Sequence, residues 1–252
     1  MTWILLRGLT REARHWGDFP AQLARHTSMQ DLVALDTPGN GEFFSLPSPG
    51  TVREMVEFLR QQTRARKLRP PYKLLAMSLG GMVAADWAQH CPGEIARLVL
   101  INTSMRPHGS LTQRLRPANW AQLALLAARW RDADFVERTV HQLTCNAKAL
   151  RAHDLAAWRR IRQTAPVSAA NAARQLWAAA CFSCAGTAPP CPTLVLSSAA
   201  DQLVQPSCSE RLASAWQASY QQHPWAGHDL PHDDAGWVCQ QLEGWNNAQH
   251  PA

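Results

Sequence analysis

The chain has 252 residues, of which 46% are hydrophobic and 17% charged, so its composition is that of a folded globular protein and excludes a disordered chain. No apolar run approaches the roughly 20 residues needed to span a bilayer. The short apolar N-terminus is followed by Arg7, without a small-residue cleavage site. We therefore expect a cytoplasmic protein that contacts no membrane.

The first hundred residues alternate short apolar runs with helical patterns. Strands are predicted at residues 3–6, 31–35, 72–77 and 95–101, and helices at residues 15–25, 52–66 and 79–90. Thr51, with Glu54 three residues later, is a plausible N-cap of the second helix. Such an alternation predicts βαβ units and a parallel sheet with helices on both faces.

The pattern changes after Pro107, where Ala, Arg, Leu, Gln and Trp dominate and no strand is convincing. Helical periodicity is present at residues 118–130, 134–143, 149–163 and 168–182. Strands then return at residues 193–197 and 219–223, with helices at 207–217 and 234–246. We expect an α/β core made of residues 1–105 and 189–252, with a helical insert at residues 106–188.

Positive charge is concentrated in this insert. The net charge of the chain is +6, and residues 106–185 carry twelve basic but only four acidic side chains. Such a field can attract an acidic carrier protein or a carboxylated substrate. Most of these arginines can equally lie on solvated helix faces. We expect no nucleic-acid partner, because no recognisable binding module accompanies the charge.

Seven cysteines, an odd number in a long chain without a secretion signal, indicate reduced thiols. Cys181 and Cys184 form a C-x-x-C with Cys191 nearby. A metal site usually needs a fourth ligand at short spacing, and none stands out in this segment of the sequence. We therefore expect no metal and no cofactor, with a metal or redox role of these thiols as the alternative.

Ser78 stands between a predicted strand and a predicted helix. A serine on such a sharp turn projects its hydroxyl beyond the sheet and requires small residues two positions before and after it. Ala76 and Gly80 occupy those positions. The N–H of Leu79 then lies at the helix N-terminus, where it can stabilise an oxyanion. The pattern predicts a nucleophile; the alternative is a serine that only caps the helix.

A catalytic serine needs a base, and the base needs an orienting acid, which precedes the histidine in this architecture. Asp201 lies in the loop after the strand at residues 193–197, at the edge where open parallel sheets place their sites. His228 follows a glycine between the last strand and the last helix. Asp201 can alternatively be a turn residue. His223 and His232 are the nearest rivals for the base, although a strand position explains His223, and helix capping or exposure explains His232, more simply.

The turn after the first strand lies on the same side of the sheet as Ser78. The N–H of Leu9 in that turn can supply a second oxyanion donor, the alternative being an ordinary βα turn. Trp16 and Met77 are near enough to the serine turn to line a substrate pocket.

These residues resemble the α/β-hydrolase superfamily, and most of all its small carboxylesterases of the pimeloyl-carrier-protein methyl esterase type. The likeness covers nearly the whole chain outside the insert. It is carried by the segments Arg7 to Trp16, Asp36 to Gly41, Ala76 to Gly81 and Leu98 to Thr103, together with Asp201 and Gly227-His228.

The resemblance implies an α/β-hydrolase fold, with a mostly parallel sheet of about six strands and an inserted helical cap over the active site. It implies that Ser78, Asp201 and His228 form the catalytic triad. Leu9 and Leu79 would then form the oxyanion hole. The family usually has a histidine where this chain has Arg7, which can place a positive charge near the site. The chain departs from the family at a second position, where Asn40 replaces the histidine of the family's Asp-x-Pro-Gly-His-Gly turn.

We therefore expect a serine hydrolase that cleaves a small-molecule carboxylic ester or thioester, with an apolar acyl or aryl group, through an acyl-enzyme intermediate. Carbon–carbon bond hydrolysis, amide hydrolysis and perhydrolysis share the same triad and stay open. A non-catalytic binding protein that keeps the hydrolase fold is the alternative from a different class.

Overall fold

The computed structural model describes residues 1–26 and 31–248. Six strands in this part of the chain form one sheet, and all neighbouring strands run parallel, which confirms the predicted sheet. The strands are β1 (Trp3–Leu6), β2 (Leu32–Leu35), β3 (Tyr72–Met77), β4 (Ile95–Ile101), β5 (Thr193–Ser198) and β6 (Ser219–His223).

The spatial order of the strands is β2-β1-β3-β4-β5-β6. β2 pairs with one edge of β1, and β3 pairs with its other edge. β4, β5 and β6 then extend the sheet beyond β3. The order therefore reverses between β1 and β3, and open α/β sheets bind their ligands beyond the carboxyl ends of the strands at such a reversal. The turns that follow β1 and β3 carry Leu9 and Ser78.

Eleven α-helices lie in the described part of the chain, and most follow the predicted pattern. They are α1 (Phe19–His26), α2 (Val52–Ala65), α3 (Leu79–His90), α4 (Leu111–Arg114), α5 (Trp120–Ala128), α6 (Ala133–Thr144), α7 (Arg151–Thr164), α8 (Ala169–Cys181), α9 (Ser207–Trp216), α10 (Leu230–Asp233) and α11 (Ala235–Ala248). Thr51 caps α2 through its side chain, as predicted. Short 3-10 helices lie at Ala13–Trp16, Gly41–Phe43, Pro92–Glu94, Pro117–Asn119 and Lys148–Leu150.

Alternate strand residues point to opposite faces of the sheet and build two cores. In β1, Ile4 and Leu6 pack into the core that α2, α3 and α9 cover, whereas Trp3 and Leu5 pack into the core that α1 and α11 cover. None of these four side chains is more than 2% exposed. Burial on both faces explains why the strands are apolar throughout.

The first helix differs from its prediction. Instead of one helix over residues 15–25, the chain forms a 3-10 turn at Ala13–Trp16 and then α1. Gly17 separates the two with a φ angle of +53°, a conformation that favours glycine. Pro20 lies in the first turn of α1, where its missing N–H costs no hydrogen bond.

The helical insert (residues 106–188) contains α4 to α8. Its two ends lie together, because the N–H of Cys184 donates to the carbonyl of Arg106 at 2.9 Å and Arg106 forms a single β-bridge with Ser183. The division of the chain into a core and a cap at these residues stays a prediction.

Over the described residues, no helix has the length and apolar character that crossing a bilayer requires.

Candidate active site

Ser78 lies on a strained turn between β3 and α3. Its φ angle is +54°, a region that a serine seldom occupies. Its side chain makes no capping hydrogen bond to α3, so it does not serve as an ordinary helix cap. Oγ1 of Thr103 donates to the carbonyl oxygen of Ser78 at 2.8 Å and holds the turn. The serine is half-buried and lines a cavity.

Glycines allow the chain to pack closely around this turn. A Cβ atom at Gly80 would lie 2.5 Å from the carbonyl oxygen of Arg7, and one at Gly8 would lie 3.0 Å from the Cβ of Ser78. The turn after β1 is thereby brought against the serine. The small residues around Ser78 are needed for this approach as well as for the turn itself.

Leu9 and Leu79 lie in the two turns that meet at the serine. Leu79 is the first residue of α3, so its N–H is one of those without an intrahelical acceptor. Leu9 follows Gly8 and lines the same cavity as Ser78. Its neighbour Thr10 donates its N–H to Oε1 of Gln175 on α8 at 2.8 Å, so the insert helps to hold this loop. The N–H groups of these two residues stay the predicted oxyanion donors.

His228 and Asp201 form a buried pair at the carboxyl end of the sheet. Nδ1 of His228 lies 2.7 Å from Oδ2 of Asp201, and the two residues are 3% and 1% exposed. The other carboxylate oxygen accepts the N–H groups of Leu203 and Val204 at 2.8 and 2.9 Å. A carboxylate that accepts from Nδ1 places the ring proton there and leaves the lone pair on Nε2.

Nε2 of His228 is buried and has no hydrogen-bond partner in the described part of the chain. His228 and Ser78 line the same cavity, although no hydrogen bond joins them in this structure. The serine–imidazole contact of hydrolases is often long without substrate and tightens when substrate binds. The structure thus brings the serine, the imidazole and the carboxylate to one end of the sheet.

Asp201 sets the proton affinity of His228. Burial lowers the pKa of His228, but the charge of Asp201 and its hydrogen bond outweigh that effect and raise the pKa above the usual value of 6.5. Asp229 raises it further, and Arg7 opposes the rise. The environment therefore favours the imidazolium that forms when a base takes a proton.

The positive charge expected near the site is present but paired. Nη1 and Nη2 of Arg7 donate to Asp229 at 3.0 and 2.5 Å, and both side chains are buried.

The prediction that Trp16 lines the pocket was wrong. Trp16 is buried beneath Arg7, with the guanidinium carbon 4.7 Å from its ring centroid, and it stacks on Phe19. Met77 does line the cavity.

The cavity has a volume of about 550 Å³, within the range of small-molecule sites. The insert supplies most of its wall, largely with apolar side chains that include Leu115, Trp120, Leu126, Trp130, Leu143 and Leu176. Ser78 and His228 lie at the core side of this cavity. An apolar group attached to a reacting carbonyl fits such a wall.

The rival histidines lie outside this cavity and have other partners. Nε2 of His223 lies 3.2 Å from Oδ2 of Asp234, and Nε2 of His232 lies 2.8 Å from Oδ2 of Asp154. Neither histidine lines the cavity. His223 ends β6, as its strand position predicts, whereas His232 neither caps a helix nor is exposed: it lies within α10 and contacts Asp154.

One group of side chains has the composition of a metal site. The ligand atoms of His141, Cys145 and His232 lie within 4.8 Å of one another. Oδ2 of Asp154 lies 3.1 Å from Nε2 of His141 and 2.8 Å from Nε2 of His232, so a carboxylate already engages one nitrogen of each ring.

The thiols of the C-x-x-C do not belong to such a group among the residues that the structure describes. All seven cysteines are free thiols: Cys91, Cys145, Cys181, Cys184, Cys191, Cys208 and Cys239.

Two residues that hold the His228 loop are not apparent from sequence motifs. Nδ2 of Asn102 donates to the carbonyl oxygens of His228 and Gly227 at 2.8 and 3.2 Å. Asp233 accepts the N–H of Gly227 at 2.6 Å and the N–H of Asn146 in the insert at 2.9 Å. The position of Asn102 directly after β4, at the carboxyl end of the sheet, is the one signal in the sequence that marks it.

The chain matches the model of the alpha/beta hydrolase fold over residues 4–235. It is also similar to proteins named "Putative carbamate hydrolase RutD" from Klebsiella pneumoniae (strain 342) and Klebsiella variicola (strain At-22). Each is 28% identical over 249 residues, and the alignment covers 92% of this chain and 86% of the relative.

Solved structures share the fold. The enol-lactonase from Burkholderia xenovorans LB400 superposes with a TM-score of 0.78 at 20% identity, covering 98% of this chain and 91% of that one. A thermophilic esterase from Thermogutta terrifontis gives a TM-score of 0.75 at 24% identity, covering 99% and 90%. At these identities the likeness concerns the fold alone.

Proposed function

Because the chain belongs to the alpha/beta hydrolase fold family, we propose that it is a serine hydrolase with Ser78, His228 and Asp201 as its catalytic triad. The substrate is a carboxylic ester or thioester. The proposal rests on one observation about His228. Its Nδ1 lies 2.7 Å from Oδ2 of Asp201, its Nε2 has no partner among the described residues, and it lines the same cavity as Ser78.

In the proposed reaction, Oγ of Ser78 attacks the carbonyl carbon while Nε2 of His228 takes the hydroxyl proton. The carbonyl electrons move to the oxygen, and the N–H groups of Leu9 and Leu79 stabilise the oxyanion. Removing one such donor typically costs about 10²–10³ in kcat.

Collapse of this intermediate expels the alcohol or thiol, which takes the proton from Nε2 and leaves the acyl group on Ser78. A water molecule then gives its proton to Nε2 and attacks the acyl carbon. The acid is released and the serine regains its proton. Asp201 stabilises the imidazolium in both halves of the reaction without itself becoming protonated.

A carbamate is a second candidate substrate, because the relatives at 28% identity are named for putative carbamate hydrolysis. The same serine can attack a carbamate carbonyl, so the two candidates differ in substrate and share the site. The narrower likeness to pimeloyl-carrier-protein methyl esterases and a cytoplasmic location stay predictions.

Docking of an acidic carrier protein on the insert also stays a prediction. Some arginines there are engaged within the protein: Arg114 donates to the carbonyl of Ala180 at 3.3 Å, and Arg138 and Arg159 both bind Asp134. Arg131, Arg160 and Arg174 are exposed, so such a partner would meet these side chains.

The test uses a fluorophosphonate probe together with p-nitrophenyl esters and aryl carbamates. We expect the probe to label Ser78, and Ser78→Ala to lose labelling and at least about 10⁴-fold in kcat. Ser214→Ala, on the exposed side of α9, is the matched control and keeps both. Equal turnover by Ser78→Ala and the wild type would overturn the assignment, and the ratio of ester to carbamate turnover decides between the two substrates.

A further inference from the structure

Arg11 lies in the wall of the active-site cavity with its hydrogen bonds incomplete. Its side chain is 9% exposed, and the residue lines the cavity together with Ser78 and His228. Nη1 donates to Oε2 of Glu137 at 2.7 Å and lies 3.0 Å from Nε2 of His15. Nη2 is buried and has no hydrogen-bond partner in the described part of the chain.

The carboxylate next to Arg11 does not fully neutralise it. Glu137 is shared with Arg162, whose Nη1 lies 3.5 Å from Oε1, so two guanidinium groups meet one carboxylate. Burial and the charges of Arg11 and Arg7 lower the pKa of His15 well below the usual value of 6.5. The ring is therefore neutral near pH 7 and does not change the charge balance. This part of the site carries a net positive charge.

The acidic residue of the described cavity wall is already engaged. Asp229 lines the cavity, but both of its oxygens accept from Arg7. No second acidic residue lines the described cavity. The guanidinium carbon of Arg11 lies 4.6 Å from the ring centroid of Trp158, and no acidic side chain of the described cavity wall is left to accept from Nη2.

A buried donor without an acceptor is destabilising, and more so when the group is charged. A carboxylate is the acceptor that suits a guanidinium best, because the bond is charge-assisted and both groups are planar. The rest of the wall is mostly apolar, so a carboxylate entering the cavity meets one strong partner.

We propose that Arg11 binds a free carboxylate of the substrate, so that the preferred substrate is an ester that carries a second, unesterified carboxylate. This inference rests on the proposed function, because it concerns the same cavity. Arg11 is two residues from Leu9, so the loop that stabilises the oxyanion would also hold the charged end. The apolar wall would then contact the chain that connects the ester and the carboxylate.

The experiment compares esters in pairs that differ only in the second carboxylate. Monomethyl esters of linear dicarboxylic acids are compared with methyl esters of fatty acids of equal carbon number, which places the charge on the acyl side. Acetates of hydroxycarboxylic acids and of the matching alkanols place it on the alcohol side. We expect the charged member to be preferred in kcat/KM by at least about tenfold in one series.

Arg11→Met should lower this preference by about 10- to 100-fold, the effect of losing a hydrogen bond to a charged group. Arg11→Lys keeps the charge and should recover part of it. Arg138→Met removes an exposed guanidinium from the insert outside the cavity and is the matched control, with an unchanged ratio. If no pair favours the charged ester, or if Arg11→Met lowers both members equally, the proposal is wrong.

Binding of the same half-esters to Ser78→Ala, measured by calorimetry, separates this proposal from the proposed function. Binding that Arg11→Met abolishes would support the carboxylate site even if the wild type hydrolysed no ester. Ester hydrolysis that depends on Ser78 but shows no preference for charge would support the proposed function and overturn the role of Arg11.

Discussion

Arg7 and Asp229 are 222 residues apart in the chain, and the guanidinium of Arg7 binds both carboxylate oxygens of Asp229. Arg7 follows β1 and precedes Leu9, whereas Asp229 directly follows His228. The N–H of Asp229 also donates to the carbonyl of Thr144 in the insert at 2.7 Å. One buried ion pair therefore connects the loop of Leu9, the loop of His228 and the insert.

Breaking this pair should be costly. Arg7→Met leaves a buried carboxylate without its partner, and we expect the free energy of unfolding to fall by about 3–5 kcal/mol. Asp229→Leu should have a similar effect, and the double variant should lose much less than the sum. Denaturant titration of the four proteins measures the coupling.

Arg66 and Glu42 form an exposed ion pair that serves as the control. Replacing them by Met and Gln should give a coupling below about 1 kcal/mol. A coupling between Arg7 and Asp229 that is no larger than this would show that the buried pair does not hold the loops together.

The activity should depend on pH through His228. The base must be neutral to accept a proton, and its pKa is raised by Asp201, so the acid limb of kcat/KM should lie above pH 6.5. In Asp201→Asn the attracting charge is lost while burial remains, so the limb should move to lower pH. We also expect kcat to fall by about 10⁴-fold, because the amide favours the wrong tautomer. Rate profiles over about pH 5–9 measure both effects, and a limb that Asp201→Asn leaves in place would contradict the assignment of this acid.

Gly80 tests the close packing at the serine turn. In Gly80→Ala the new Cβ would lie 2.5 Å from the carbonyl oxygen of Arg7. We expect stability to fall by about 1–3 kcal/mol, and kcat/KM to fall because the loop that carries Leu9 is displaced. Gly244 lies in α11, and no atom of the described residues would lie near its Cβ, so Gly244→Ala should instead add about 0.5–1 kcal/mol. Thermal unfolding and ester turnover of the two variants are compared, and similar behaviour of both would exclude the close approach.

Asn102 should position His228 without touching substrate. Asn102 has a φ angle of +45°, which aspartate also tolerates, so Asn102→Asp changes the hydrogen bonds more than the backbone. The carbonyl oxygens of Gly227 and His228 would lose their donor and face a carboxylate, at a cost of about 1–3 kcal/mol each. We expect kcat to fall with little change in KM, and the pH profile to shift as the new charge raises the pKa of His228.

Asn247→Asp changes an exposed residue of α11 in the same way and is the control. Steady-state kinetics across pH distinguish the two variants. A loss of stability in Asn102→Asp with an unchanged kcat and pH profile would mean that Asn102 supports the fold alone.

Local sequence patterns predicted the bounds of an element correctly where a single residue ends one element and begins the next. The strand at Tyr72–Met77 and the helix at Leu79–His90 have the predicted bounds, because a run of apolar residues ends at a serine flanked by small residues. The first helix was predicted too long, since its periodicity continues across Gly17 while the backbone does not. Trp16 was assigned to the pocket from its place in the chain, and the guanidinium of Arg7 covers it instead.

By itself, the sequence determined the alternation of strands and helices, the parallel sheet and the turn of Ser78, because periodicity and turn geometry depend on residues within about ten positions of one another. Only the tertiary structure decided that Asp229 neutralises Arg7, that Asn102 holds the His228 loop and that Nη2 of Arg11 has no partner among the described residues. Each of these depends on side chains that are distant in sequence, and no local pattern records which of them the order of the strands brings together.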